Sequence, residues 1–405
     1  MVMLPSLWEF SLGHSLELGY WASGIYPPHL PLSILIAPDK FKGTLTAPQA
    51  AKAIARGWKA ARPEDRLTQL PISDGGDGFG VLMAEALGAN SLTIETQDAS
   101  HTPTNAPCWI DSNSGTAIVE SANILGLAML SAKKQRPLAL DSHGFGIVLR
   151  DERFTNCRQI IIGIGGSATN DGGFGMAREL GWHFESDRGE PICDWIDLVN
   201  LKKIHPTETK LSSEIIVAVD VQNPMLGPNG CTRVYGPQKG LREEYIPQAE
   251  AALARLAEVW EAQMGEDVAS LLGAGAAGGL GFGLRCFAGA KIQSGFEIFA
   301  EAAGLDALLR EVDVVVTGEG AMDRQTVMGK GVGELAKRAR ANGCHCVGLA
   351  GLVKDRPALA EVLDDCRALT DLTTTAEAQA DAGRWLEKLA REMAAGGLAV
   401  QKRIT

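Results

Sequence analysis

An apolar run that ends directly in acidic residues and glycines recurs along this chain. Four such segments are LSILIAPDKFKG from Leu32, LTQLPISDGGDG from Leu67, EIIVAVDVQNP from Glu214 and VDVVVTGEG from Val312. Each apolar run predicts a buried strand, and the polar residues after it predict a loop at the carboxyl end of that strand. Open α/β sheets bind their ligands at this edge. The pattern therefore predicts an α/β fold whose strand ends carry a polar site.

The order of these patterns predicts two domains. Between about Ser91 and Val119, the short alternating stretches SLTIETQD, APCWIDS and TAIVESA are typical of antiparallel hairpins, and the strand-then-glycine pattern returns near the C-terminus. We therefore predict a Rossmann-like domain formed by residues 32–90 and 290–405, split by an inserted α/β domain at residues 91–289. The active site is expected in the cleft between the two. Residues 1–31 are predicted to be a poorly ordered N-terminal extension.

Composition excludes several classes of function. The net charge of -11 over 405 residues, with no Lys/Arg cluster, argues against a nucleic acid partner. The uncharged stretch from Val268 to Leu284 is too rich in glycine to span a bilayer as a helix, so no membrane segment is predicted. The eight cysteines are scattered without metal spacing, which indicates a reduced, cytoplasmic protein without a zinc site.

The segment GIGGSATNDGG, from Gly163 to Gly173, is the most glycine-rich of the loops with polar side chains. Backbone N–H groups on such a turn can surround an anion, and Ser167, Thr169 and Asn170 add side-chain donors. The glycines could equally serve only sharp turns and close packing. By itself this loop therefore leaves a phosphate site and a packing role open.

The same loop satisfies a permissive dinucleotide-binding pattern. Gly163, Gly165 and Ala168 occupy its three key places, and acidic residues follow near the spacing of a ribose-binding group. An NAD(P)-dependent dehydrogenase of a small hydroxy acid is therefore an alternative. A Walker A loop is excluded because Gly331 follows Lys330 where Ser or Thr is required.

Phosphoryl transfer explains more of the polar loops than a dehydrogenase does. It needs carboxylates for Mg²⁺, donors for phosphate oxygens, cations for developing charge and a carboxylate near the accepting hydroxyl. Candidate carboxylates at the strand ends and in neighbouring loops are Asp74, Asp77, Asp171, Asp220, Glu319 and Asp323. Candidate cations are Lys40, Lys42, Lys239, Arg285, Arg324 and Lys330.

Seven motifs in order resemble those of the bacterial-type glycerate kinase family: APDKFKGTLTA, SDGGDG, GIGGSATNDGG, DVQNPMLGPNG, GPQKG, GAGAAGGLGFG and TGEGAMDRQT. The resemblance covers nearly the whole chain from Leu32. It implies transfer of the γ-phosphate of ATP to D-glycerate with Mg²⁺, with 2-phosphoglycerate as the favoured product. It also implies two dissimilar α/β domains with the active site between them, in a monomer or homodimer. The sequence departs from the family at Lys40, where Ser is usual, and at Asp77 and Phe79, where Glu and Thr are usual.

From this resemblance we form a hypothesis for the site. Lys42, Asp74 and Asp171 are the expected catalytic residues, and Asp74, Asp171 and Asp220 are the expected Mg²⁺ ligands. Arg285 or Arg324 is expected to pair with the glycerate carboxylate through two parallel hydrogen bonds. The nucleotide phosphates are expected to contact two loops, through Gly165, Gly166, Ser167, Thr169, Asn170, Gly318, Glu319, Gly320 and Thr326.

Overall fold

The computed structural model describes residues 31–131, 136–208, 211–220, 223–328 and 331–396. The N-terminal extension predicted for residues 1–31 lies outside the described residues except for Pro31. We number the strands and helices of the described residues in chain order. The strands are β1 Ser33–Pro38, β2 Arg66–Gln69, β3 Asn90–Gln97, β4 Pro103–Asp111, β5 Thr116–Glu120, β6 Gln159–Gly163, β7 His183–Ser186, β8 Leu201–His205, β9 Glu214–Val219, β10 Lys291–Ser294, β11 Val314–Met322, β12 His345–Val353 and β13 Asp365–Ala368.

Helices connect and cover these strands. They are α1 Ala47–Ala61, α2 Phe79–Leu87, α3 Ala122–Leu125, α4 His143–Leu149, α5 Phe174–Glu179, α6 Cys231–Tyr235, α7 Ile246–Met264, α8 Ala276–Ala288, α9 Gly295–Ala302, α10 Leu305–Glu311, α11 Arg324–Val327, α12 Gly331–Ala341, α13 Arg356–Leu359, α14 Thr375–Ala380 and α15 Ala382–Ala395. A capping box formed by Thr46 and Gln49 starts α1. Within the described part of the chain, no helix is both long and apolar enough to cross a membrane.

The first sheet is built from both ends of the chain. Its strand order is β13-β12-β11-β1-β2, and every neighbouring pair is parallel. The chain leaves β1 toward β2 on one side, whereas β11 is followed by β12 on the other side. Strand connections therefore diverge between β1 and β11, and a crevice forms at the carboxyl ends of these two strands.

The second sheet is built from the middle of the chain, in the order β10-β9-β6-β5-β4-β3. Strands β3, β4 and β5 are antiparallel, as their alternating sequence predicts, and β5, β6, β9 and β10 are parallel. This composition of the two sheets is consistent with an insertion. Strand β10, Lys291–Ser294, pairs with β9 and therefore belongs to this sheet. The second sheet therefore extends to Ser294, beyond the boundary predicted at residue 289.

An apolar layer joins the two sheets. Met83 of α2 and Phe296 of α9 belong to a single buried cluster with Leu35 of β1 and Ile118 of β5. Burial of such side chains is the main favourable term in folding, at roughly 25 cal/mol per Å². A shared core of this kind holds the two sheets together, so that loops from both meet at one cleft.

Candidate active site

A cleft of about 1020 Å³ opens where loops of the two sheets meet. On the side of the first sheet it begins at the divergence between β1 and β11, where Asp39 N donates to the carbonyl oxygen of Gly318 at 2.8 Å. Its lining includes polar residues and glycines that lie at or beyond the carboxyl ends of five strands of the two sheets. They include Asp39, Lys40, Lys42, Asp74, Asp77, Gly165, Gly166, Ser167, Asp220, Lys239, Glu319 and Gly320.

Charged groups from three separate loops converge on Gly76. A Cβ atom placed on this glycine would lie 2.7 Å from Lys40 Nζ, 3.3 Å from Asp74 Oδ1 and 3.8 Å from Asp220 Oδ2. Lys40 Nζ also donates to the carbonyl oxygen of Asp77 at 3.3 Å. Any side chain at position 76 would therefore displace the ammonium from among the carboxylates.

This cluster holds more negative than positive charge. Burial, reinforced by the Asp74 carboxylate, raises the pKa of Asp39 far above its ordinary value. Burial alone would lower the pKa of Lys40, but Asp39, Asp74, Asp77 and Asp220 outweigh it and leave that pKa raised. An added cation would favour the ionised form of these carboxylates. The cluster is thus suited electrostatically to a divalent cation.

The glycine-rich loop after β6 packs directly on the SDGGDG loop. A Cβ atom on Gly165 would lie 2.9 Å from Gly76 Cα, and one on Gly166 would lie 2.2 Å from Asp77 Oδ1. Gly166 also has φ +61°, a conformation that glycine adopts without strain. These glycines therefore let two loops touch. Because both also line the cleft, a ligand can reach them as well.

Glu120 fixes the position of the SDGGDG loop. It ends β5, is buried, and accepts hydrogen bonds from Gly78 N at 2.7 Å and Gly80 N at 3.0 Å. Burial raises its pKa, whereas these two hydrogen bonds oppose the shift. They satisfy N–H groups at the start of α2 that have no partner within the helix. The second sheet thereby holds Asp74 and Asp77 in place.

Lys239 is a buried cation in the wall opposite the first sheet. Only 4% of it is exposed, and its Nζ donates to Ser167 Oγ at 3.2 Å and to the carbonyl oxygen of Thr169 at 2.7 Å. Burial lowers the pKa of Lys239 to about 8. A Cβ atom on Gly278, which has φ +72°, would lie 2.0 Å from Thr169 O and 2.8 Å from Lys239 Nζ. Glycine at this position therefore leaves the space that the lysine occupies.

Comparison with known proteins identifies the family. Residues 34–396 match the model of the glycerate kinase family. The chain belongs to the glycerate kinase family. It is 37% identical to glycerate kinase of Halalkalibacterium halodurans (79% of this chain, 85% of the relative) and 36% identical to glycerate 2-kinase of Escherichia coli (80% and 86%).

A solved structure agrees with this assignment. The crystal structure of a candidate glycerate kinase 2 from Salmonella typhimurium LT2 has a TM-score of 0.74 and 34% identity, covering 90% of this chain and 98% of that one. Membership of this kinase family does not support the dehydrogenase alternative. The structure gives a physical reason, because the first helix after Gly163 begins only at Phe174 and no helix starts at the expected pyrophosphate position.

Asp171, which was predicted to act in catalysis and metal binding, does not line the cleft. It has no exposed surface, and its oxygens accept hydrogen bonds from four donors around the start of α5. The donors are Ser142 N, Ser142 Oγ, Gly173 N and Gly175 N. Burial and the nearby Asp141 raise the pKa of Asp171, whereas these hydrogen bonds lower it. In this kinase the carboxylate therefore stabilises a turn.

The two predicted arginines also lie outside the cleft lining. Arg285, near the end of α8, pairs with Glu266, with Nη2 and Oε1 2.5 Å apart. Arg324 is exposed at the first position of α11. Neither is among the residues that line the cleft. Their placement gives no support to the expectation that one of them binds the substrate carboxylate.

Four of the predicted nucleotide-binding residues support the cleft from behind and do not line it. Thr169 and Asn170 are buried, and Asn170 Nδ2 donates to Thr232 Oγ1 at 2.9 Å. Gly318 lies within β11, where a Cβ atom would be 2.0 Å from Leu349 O. Thr326 donates to Glu319 Oε1 at 2.7 Å and so orients a carboxylate that does line the cleft.

Three further cleft residues received no specific role from the sequence, although Lys40 and Lys239 were candidate cations. Asp39, Lys40 and Lys239 line the cleft, and Asp39 and Lys239 are buried. In the sequence, all three stand beside a strand-end or glycine motif, and this position is the signal that could have selected them. Nothing in the sequence distinguishes them from exposed residues of the same type.

Proposed function

We propose that this kinase transfers the γ-phosphoryl group of ATP to the 2-hydroxyl of D-glycerate, with Mg²⁺. The observation that carries the proposal is the cleft itself, where Asp74, Asp220 and Lys40 surround Gly76 and the buried Lys239 lies in the opposite wall. Phosphoryl transfer depends mainly on positioning and on offsetting charge, and these groups are the ones it needs. The name of the Escherichia coli relative, glycerate 2-kinase, supports the 2-position.

We assign the nucleotide to the first-sheet side of the cleft. This side continues past Glu319 and Gly320 to the small or apolar Gly351, Leu352 and Ala382, with the polar Thr375 and Gln379 of α14 beside them. Such a surface suits an adenine base, since ligand pockets are mostly apolar with a few polar groups. The phosphates would then extend toward Lys42, Gly165 and Gly166, where the two sheets meet.

The carboxylate cluster fits Mg²⁺ without a complete protein cage. No group of three or more His, Cys, Asp or Glu side chains forms a metal site within the described residues. Mg²⁺ usually takes only one or two protein carboxylates and keeps waters and phosphate oxygens as its other ligands. Asp74 and Asp220, both beside Gly76, are the proposed pair. When bound, the ion would offset the negative charge of the phosphate oxygens.

We also propose roles for Asp77 and Lys42 from their positions in the cleft. Asp77 lies against Gly166 and is exposed to the cleft, so we assign it the orientation of the accepting hydroxyl. Lys42, on the exposed loop after β1, is assigned to the transferring phosphoryl group. A cation there would offset the charge that develops on that group.

The test is a coupled ADP-release assay with Mg²⁺, ATP and D-glycerate, with L-glycerate, glycerol and lactate as controls. We expect ADP only with D-glycerate, loss of the signal with a chelator, and a 2-phosphate product resolved by phosphorus NMR. A folded sample that binds ATP but forms no ADP with D-glycerate would contradict the proposal. A cytoplasmic setting and a monomeric or homodimeric state stay predictions, which fractionation and light scattering can check.

A further inference from the structure

A hydroxy-acid acceptor brings a carboxylate into the cleft, and that carboxylate needs a cationic partner. Neither arginine expected for this role lines the cleft. The cationic residues of the described cleft lining are Lys40, Lys42 and Lys239. Lys40 Nζ lies among the aspartates around Gly76, and Lys42 is exposed on its loop. Lys239 differs from both, because it is buried and its Nζ is hydrogen-bonded within the cleft wall.

The hydrogen bonds around Lys239 leave two donors available. An ammonium has three N–H groups, and those of Lys239 bond Ser167 Oγ and Thr169 O, with no third acceptor among the described residues. Ser167 Oγ accepts from the lysine, so its own O–H can still donate. One N–H and one O–H therefore stand side by side in the cleft wall. A carboxylate has two oxygens and accepts from both donors at once.

The backbone around this pair is held in a costly conformation. Ala277 has φ +54° and lines the cleft, and Gly278 and Gly279 continue the left-handed turn before the regular part of α8. Non-glycine residues adopt this region at an energetic cost, and such outliers cluster at ligand sites. The turn places Gly278 over Thr169 O and Lys239 Nζ, which keeps the ammonium enclosed.

We propose that Lys239 and Ser167 bind the carboxylate of the acceptor and thereby select a hydroxy acid over a neutral polyol. The proposal rests on the assignment of glycerate as acceptor. Burial of an ammonium is unfavourable, the Asp171 carboxylate offsets this only in part, and a bound carboxylate would offset it further. Asp77 lies against Gly166, the residue before Ser167, so the same ligand can present its hydroxyl to Asp77.

The experiment compares Lys239→Met, Lys239→Arg and Ser167→Ala with the parent protein. The substrates are D-glycerate and its neutral amide, D-glyceramide. We expect Lys239→Met to raise the KM for D-glycerate by about 100-fold, because a charge-assisted hydrogen bond is lost. The KM for ATP should stay within about twofold, and the preference for the acid over the amide should collapse. Ser167→Ala should raise the KM for D-glycerate by about tenfold, and Lys239→Arg should keep the preference.

Two results would overturn the proposal. One is a fall in kcat with the KM for D-glycerate unchanged, which would assign Lys239 to the phosphoryl group. The other is an equal loss for acid and amide. Stabilisation against heat by D-glycerate without ATP gives a second readout, expected in the parent and absent in Lys239→Met. This readout tests the role of Lys239 even if the parent protein forms no ADP. Absence of ADP would contradict the proposed kinase activity, not the proposed role of Lys239. If Lys239→Met does not fold, the KM of Ser167→Ala for D-glycerate tests the proposal instead.

Discussion

Replacing Asp171 by asparagine separates a role in the fold from a role in the chemistry. Asp171 Oδ2 accepts from Ser142 N at 2.9 Å, Ser142 Oγ at 2.7 Å and Gly175 N at 2.9 Å, and Oδ1 accepts from Gly173 N at 3.2 Å. An asparagine amide must point its NH₂ group at one of these donors. A buried donor left unpaired costs about 1–3 kcal/mol. The other bonds lose their charge assistance, so we expect a total loss of roughly 3–5 kcal/mol in the free energy of unfolding.

The assay is chemical unfolding combined with turnover measured well below the unfolding transition. Asp171→Asn should unfold at clearly lower denaturant yet keep most of its kcat while folded. Asp74→Asn is the matched control, since Asp74 also precedes a Gly-Gly pair but lines the cleft. It should leave unfolding nearly unchanged and lower turnover by about 100-fold or more. An Asp171→Asn protein with parental stability and a loss of that size would refute the structural role.

Three further changes test other parts of the site. Arg285→Ala should leave the KM for glycerate within about twofold, because its guanidinium pairs with Glu266 outside the cleft lining; a tenfold rise would instead indicate that this residue binds the substrate. Gly278→Ala should weaken glycerate binding by about tenfold or more, because a Cβ atom there would lie 2.0 Å from Thr169 O. The control is Gly265→Ala, at a glycine with a similar φ and nothing within 4 Å of the added Cβ atom. This control should introduce backbone strain without weakening glycerate binding. Since burial lowers the pKa of Lys239 to about 8, kcat/KM for glycerate should fall about tenfold per unit above that pH, as the lysine loses its charge; a flat profile to pH 10 would argue against the assignment.

Much of this architecture could be predicted from local sequence. Apolar runs of five or six residues followed by acidic and glycine residues predict strands and the loops at their carboxyl ends, because both depend on neighbours along the chain. Asp74, Asp220 and Glu319 follow or end such runs, and all three line the cleft. The antiparallel stretch between β3 and β5 was predicted from its alternation in the same way.

The limits of that prediction appear where two residues look alike in sequence. SDGG and NDGG both place an aspartate before two glycines, yet Asp74 lines the cleft and Asp171 is enclosed. The difference arises because Ser142 donates twice to Asp171 across 29 residues of chain. Likewise, local sequence does not show that β10 pairs with β9 and continues the second sheet beyond residue 289.

The sequence by itself determined the α/β class, the glycerate kinase motifs and the strand ends at which polar residues collect. Tertiary structure alone decided which of those residues are buried, paired or exposed to ligand. Lys239 acquires its character from Ser167 and Thr169 on another loop and from the left-handed turn at Gly278. Arg285 is held outside the cleft lining by a partner at Glu266. The physical reason is that the pKa and the free donors of a side chain depend on atoms that folding brings near it, and these atoms come from distant parts of the chain.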